Sequence, residues 1–455
     1  MAAMLGAVIR RKIRVLKAFF IGIPHRFFFR WIFLAICIGI VVGFTVTIFH
    51  FTVEWLSEIL LEEVPEKFHI PYPYVFLIVT PMGCGLAGLI AQTMASEIKG
   101  SGTKQMLEAY HEKLGLTRKR VPFLKFIASA FTISSGGSAG YEGPMVQIGG
   151  GLGSIVAHEL RLRVLERRVL MLAGVAAAIG SVFRAPLSGA FFAVELPYVY
   201  DVEVVALLPC VLASAISYSI YASFVGWEPR FHTLQLEVTS IEELGLYAIE
   251  GVFLGFIAIL YSVIFEKISH MFEKTKLPLP IRCALGGFLT GLIGVFYPEV
   301  MGLGYDTIEE TLLEPKDMER LFIITILKII ATSLTVGSGA SGGLLAPAIF
   351  IGTTAGGSIG LLFKDIVPEL VDHPSKFALV GLGAFIAGAA KTPLTAISLV
   401  GELSGNYKLL VPLMIASSIT FTMSGRVSLM EYQVRDRSKS PLGKLAEMNL
   451  NGVRQ

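Results

Sequence analysis

Ser134-Ser135-Gly136-Gly137-Ser138-Ala139-Gly140-Tyr141-Glu142-Gly143-Pro144, followed at once by the apolar run Met145 to Ile148, is the stretch from which the fold is read. Its glycines release the backbone from helical geometry, and Pro144 suits the first turn of a new helix, where a missing N–H is no loss. A helix start leaves N–H groups without partners and carries the positive end of the helix dipole, so it attracts an anion. A twin stretch, Gly337 to Pro347 (GSGASGGLLAP), follows far downstream. Two such starts meeting near the middle of a membrane make a seat for a small anion without any full positive charge. Dipoles bind and let go, whereas a buried Lys or Arg holds an ion too firmly for quick release. Glycine-rich segments also permit close helix packing in membranes, and it is their occurrence as a symmetric pair that favours the anion seat.

Working outward, the pairing extends along the chain. Leu124-Lys125-Phe126-Ile127-Ala128 realigns with Leu327-Lys328-Ile329-Ile330-Ala331, and Thr132, Gly136, Ser138, Gly140 and Pro144 then meet Thr335, Gly339, Ser341, Gly343 and Pro347. Upstream, Gly88-Leu89-Ile90 meets Gly291-Leu292-Ile293. After a short slip in register, Arg184-Ala185-Pro186-Leu187 meets Lys391-Thr392-Pro393-Leu394, and Glu195-Leu196 meets Glu402-Leu403. So many matches in one order mark an internal repeat. In membrane proteins such halves are often related by a twofold axis in the membrane plane, with the substrate site where they meet. The loop with Lys113, Arg118, Lys119 and Arg120 is more basic than its counterpart around Lys316 to Arg320, which hints that the halves are inverted.

The composition suits that setting: 54% of the 455 residues are hydrophobic and 16% charged, with a mean hydropathy of +0.69. Water-soluble domains rarely look like this. Apolar runs long enough to cross a bilayer recur, for example Trp31 to Val53 and Tyr74 to Met94. Others, namely Met145 to Ala157, Leu187 to Leu196 and Leu394 to Leu403, are too short or too broken to span as one straight helix. Broken helices at membrane depth are tolerated inside protein or along a watery cavity, which is the architecture of a pathway. The organisation expected is a cytoplasmic amphipathic segment over 1–30, a first membrane repeat over 31–225, a second over 240–425, and a C-terminal helix with a cytoplasmic tail over 426–455. The basic N-terminal stretch from Arg10 to Arg30 reads as membrane-flanking rather than as a cleavable signal, and with the basic tail it places both termini in the cytoplasm.

Glu142 is the one carboxylate inside the two glycine-rich turns, and Leu345 stands at its equivalent. An ionisable group within a membrane is a functional candidate. A carboxylate at a helix start resembles a permeating anion, plugging the seat when charged and leaving it when protonated; the plainer alternative is a capping glutamate. In Gly100-Ser101-Gly102-Thr103-Lys104, Ser101 either caps the next helix or offers its hydroxyl to an ion. The stretch lacks the glycine spacing of a phosphate-binding loop. Glu195 and Glu402, kept in both halves, read as structural.

These residues resemble the CLC family of chloride channels and chloride/proton antiporters over nearly the whole chain. Gly140 to Pro144 (GYEGP) is similar to that family's GREGP signature, Gly343 to Pro347 (GLLAP) to its GxFxP signature, and Gly100 to Lys104 (GSGTK) to its GSGIP signature. The resemblance implies an all-α integral membrane protein of tilted and broken helices in two inverted repeats, forming a homodimer with one pathway per subunit, in the bacterial manner without C-terminal nucleotide-sensing domains. It implies chloride as transported ligand and no cofactor. The anion contacts it implies are Ser101 and Gly102, Gly143, Leu344 and Leu345, with Glu142 as the gate. Exchanging members carry an inner, proton-relaying glutamate immediately after the position of Glu195; here it is Leu196, which favours channel-like or loosely coupled conduction. The inner tyrosine that closes the chloride site falls on Met430, unless Tyr432 reaches in. Lys104 replaces a proline and Tyr141 an arginine, so preference among chloride, fluoride and nitrate does not carry over.

Other classes find little support. An intramembrane enzyme with Glu142 as general base would need a nucleophile or metal ligands beside it, and the eight histidines show no ligand spacing. Cys37, Cys84, Cys210 and Cys283 show neither metal-site nor disulfide spacing. The basic residues flank spans rather than forming a stripe with aromatics, which gives nucleic-acid binding no footing.

Overall fold

The protein is described here by a computed structural model covering residues 27–441. The first half runs through α1 (Phe27–Glu58), α2 (Phe76–Thr93), α3 (Thr103–His111), α4 (Arg120–Ser134), α5 (Glu142–Glu159), α6 (Val164–Val182), α7 (Pro186–Glu195) and α8 (Val204–Val225). The second runs through α9 (Glu243–Lys274), α10 (Leu279–Phe296), α11 (Tyr305–Leu313), α12 (Met318–Gly337), α13 (Leu345–Ile366), α14 (Ser375–Ala390), α15 (Pro393–Ser404) and α16 (Leu410–Met423). Each of these eight helices has its counterpart in the other half, in the same order. Seven helices among the described residues are long and apolar enough to cross a membrane, and the chain is an all-α integral membrane protein.

Helices such as α1 are apolar on every side, as suits an element that faces lipid on one flank and protein on the other. Small residues let them approach: a Cβ at Gly39 in α1 would lie 2.8 Å from the Ala213 carbonyl oxygen of α8, and one at Gly251 in α9 would lie 2.8 Å from that of Ala416 in α16. The same contact is thus built twice. The counterparts α2 and α10 cross each other closely, with a Cβ at Gly291 only 2.3 Å from the Phe76 carbonyl oxygen.

The halves are inverted. Glu54 lies in the last turns of α1, and Arg230, between α8 and α9, lies close enough for its charge to act on it. Thus α9 begins on the face where its counterpart α1 ends. The short helices α7 and α15 pack against each other.

Of the segment 1–30, only Phe27–Arg30 is described, and it opens α1, with Arg30 paired to Glu166 at 2.9 Å. Of the C-terminal helix and tail expected over 426–455, residues 442–455 lie outside the described residues. Residues 426–440 instead form an extended strap with one 3-10 turn, Arg437–Lys439. The strap lies along residues 197–203, with Val199 N–H donating to Val434 (2.9 Å), Tyr200 N–H to Arg435 (3.0 Å) and Val434 N–H to Pro197 (3.2 Å).

Candidate anion pathway

The two glycine-rich turns meet. Gly136 and Gly339 take φ of 86° and 106°, a region that favours glycine. The turns then exchange backbone bonds, Gly140 N–H to the Gly343 carbonyl (2.9 Å) and Gly343 N–H to the Gly140 carbonyl (2.7 Å). This small antiparallel bridge holds the starts of α5 and α13 side by side in the buried centre of the fold.

The Glu142 side chain, fully buried, reaches across to the other half. Its Oε2 accepts the N–H of Ala346 in the first turn of α13 (3.1 Å), and its Oε1 accepts the Tyr305 hydroxyl (3.4 Å). A carboxylate of the first half therefore sits on the anion-attracting start of a helix in the second. Glycine makes the room: a Cβ at Gly140 would fall 2.1 Å from Glu142 Oε2, and one at Gly143 would fall 2.4 Å from the Ser101 carbonyl oxygen. Gly143 also abuts Gly343, whose Cβ would stand 2.6 Å from the Gly143 nitrogen. Leu344 and Leu345, both buried, open α13 beside this point.

The Ser101 loop joins the same cluster. Gly100 N–H donates to Gly339 (3.1 Å), Gly342 N–H to Gly100 (3.3 Å), and on the symmetric side Gly302 N–H donates to Gly136 (3.0 Å). Ser101 does not cap α3: Gly102, with φ of 87°, holds the N-cap position and no side chain caps the helix. Behind the loops stand two lysines. Lys125 Nζ donates to the carbonyls of Ile98 (3.0 Å) and Gly100 (2.6 Å), and Lys328 Nζ to those of Val300 (2.9 Å) and Gly302 (2.9 Å). Both side chains are fully buried. They are spent on carbonyls, satisfying groups that would otherwise be orphaned.

A vestibule of about 400 Å³ opens on the Ser101 side, with Lys104, Leu429 and Glu431 in its lining and Lys104 paired to Glu431. Met430, between those last two residues, is buried. Tyr432 is 43% exposed, and Lys104 Nζ stands 5.7 Å from its ring centroid. Met430 is thus the buried member of the pair, while the Tyr432 ring lies beside Lys104, a residue of the vestibule lining. Leu196 is buried against the strap, its carbonyl accepting Gln433 Nε2 (3.1 Å).

Glu195 and Glu402 lie apart from the anion seat and cap each other's half. Glu195 accepts the N–H groups of Leu394 and Thr395 at 2.8 Å each, opening α15. Glu402 accepts those of Leu187 (2.9 Å) and Ser188 (2.7 Å), opening α7. Each carboxylate meets the unpaired donors at the other's helix start.

A family model described as voltage gated chloride channel matches residues 83–425, a span that holds all three glycine-rich loops and both lysines. The chain belongs to that family. An H(+)/Cl(-) exchange transporter, ClcA of Salmonella paratyphi A, is 30% identical, the match covering 84% of this chain and 83% of the relative. Among solved structures, a slow cyanobacterial Cl-/H+ antiporter superposes with a TM-score of 0.77 at 23% identity over 87% of this chain and 94% of its own. A CLC-type fluoride/proton antiporter also reaches 0.77, at 22% identity over 90% and 98%. The fold is thus that of the chloride channel family, and anion transport is its class of function.

Four participants were given no role in the sequence reading. Ala346, the donor to Glu142, differs from its neighbours in no chemical way. Tyr305 follows a loop without a motif. Lys125 and Lys328 were visible as a repeat pair, but their carbonyl partners belong to other loops.

Proposed function

We propose that this protein passes chloride or a similar small anion across the membrane, in a channel-like or loosely proton-coupled manner, with Glu142 as the gate. The observation that carries this reading is the contact between the Glu142 carboxylate and the Ala346 N–H. A carboxylate that fills an anion seat competes with the permeating ion; protonated or swung aside, it yields the place. Ser101, Gly102, Gly143, Leu344, Leu345 and Met430 form the path on either side. The functional unit in this reading is a homodimer in the plasma membrane, with both termini cytoplasmic.

Coupled chloride/proton exchange, or transport of fluoride or nitrate, is the second reading. It is favoured by the relatives whose names describe proton exchange. Against tight coupling stands Leu196, which has no proton to give at the place where the family resemblance looks for a glutamate. The deciding experiment is the reversal potential of purified protein in lipid vesicles under a pH gradient. A potential that follows the anion gradient alone supports conduction; one that moves with the proton gradient establishes exchange. Absence of any anion flux would overturn both.

A further inference from the structure

The mouth opposite the vestibule carries charge that the gate alone does not explain. Arg230 comes from the segment joining α8 to α9, and its guanidinium lies 4.3 Å from the ring centroid of Tyr305, the residue whose hydroxyl reaches Glu142. Its charge acts through space on Glu142. The segment is fixed on both flanks. Phe231 is buried, packs edge-on to Tyr305 at 5.7 Å and donates its N–H to Leu403 (3.0 Å), while His232 pairs with Glu309.

Arg184 joins it from the turn before α7, reaching a carbonyl two residues before Arg230. Arg184 donates through Nη1 to the Glu228 carbonyl (3.4 Å), while its buried Nε has no partner. Its counterpart in the second half, Lys391, shares the left-handed backbone, with φ of 60° against 54°, but gives its ammonium to Ser424 Oγ (2.5 Å) and the Phe421 carbonyl (3.4 Å). One cation of the symmetric pair is consumed by structure, and the other keeps a donor in hand. Neither Arg184 nor Arg230 makes an ion pair among the described residues. The nearby acid, Glu54, is engaged with His50 at 3.0 Å.

We propose that Arg230 and Arg184 form an anion-capture site at this mouth, which gathers a small monovalent anion and passes it to the seat that Glu142 occupies. The site rests on the anion-passage reading and deepens it. Position 141, where the family resemblance looks for an arginine, holds Tyr141, and the guanidinium arrives instead from residue 230. Two fixed positive charges at a narrow entrance concentrate anions without burying a charge in the path, and guanidinium, weakly hydrated and rich in donors, suits transient contact with a halide or nitrate.

The test compares wild type with Arg230→Gln, Arg184→Gln, the double variant and Arg230→Lys in planar bilayers, where chloride is set separately on each side. Each neutralisation should raise half-saturating chloride from one side only, on the order of tenfold for the pair, with the current at saturating chloride retained. The shift should shrink when an impermeant salt raises the ionic strength, and Arg230→Lys should restore most of the wild-type affinity. Unchanged half-saturation, or a loss shared by both sides that Lys does not rescue, overturns the capture site. Wild-type protein that carries no anion current at all would instead sink the reading beneath it.

Discussion

Glu142 in the first half and Ala346 in the second stand 3.1 Å apart, carboxylate oxygen to amide nitrogen. The negative charge of one repeat is held by the helix start of the other. In the proposed gate, opening the path means breaking a bond between the halves. Hydrogen bonds to a charged group contribute about 1.5–3 kcal/mol, enough to shift an open–closed balance roughly tenfold to a hundredfold.

Replacing Glu142 with Ala or Gln should leave an open path. Acidification protonates the carboxylate and removes the charge that holds it to the amide, so wild-type flux should rise as pH falls. Both variants should conduct at a level independent of pH, read as chloride efflux from vesicles across a pH series. Retained pH dependence would show that another group controls the gate.

Glycines at the seat should be intolerant where space is lacking. Gly143→Ala would press a methyl to 2.4 Å from the Ser101 carbonyl oxygen, and Gly343→Ala to 2.6 Å from the Gly143 nitrogen. Either change should abolish flux or prevent assembly. Gly245→Ala is the contrast: a Cβ there meets nothing within 4 Å, and alanine should stabilise α9 by about 0.5–1 kcal/mol, seen as an unchanged or raised melting temperature with normal flux.

Removing Lys125 should loosen the Ser101 loop. Lys125→Met keeps the side chain's bulk but leaves the Ile98 and Gly100 carbonyls without that donor, at a cost of about 1–3 kcal/mol. A lower melting temperature in detergent is expected, with Lys328→Met matching it in the other half. If both variants melt like wild type, the lysines do not tie down the loops.

The reciprocal caps invite a double-mutant cycle. Glu195→Ala and Glu402→Ala should each lower stability by about 1–2 kcal/mol. Because both bonds cross the same junction between α7 and α15, the double variant should depart from additivity. Strict additivity of the melting shifts would mean that the two caps act separately.

Much of this architecture could be read from local grammar. The paired turns, the repeat and the short helices follow from Gly, Pro and apolar spacing, because such residues restrict or free the backbone where they stand. Ser101 as a cap failed for a local reason too: Gly102 took the N-cap position in a left-handed conformation. What stayed hidden depends on distance along the chain. Tyr305 matters because its hydroxyl reaches Glu142, and Arg230 because it lies over Tyr305. Lys125 is a lone charge in an apolar run of sequence, and only folding brings the carbonyls of Ile98 and Gly100 to its ammonium. Met430 and Tyr432 lie two positions apart, and only the path of the strap decides which of them is buried.

The exchange of carboxylates between α7 and α15 also sets a timetable for synthesis. The amides of Leu187 and Ser188 leave the ribosome early, yet the group that satisfies them, on Glu402, is made more than two hundred residues later. Until then the first half waits in the bilayer with an unfinished helix end, so a nascent chain stopped before residue 402 should be unusually exposed to membrane quality control.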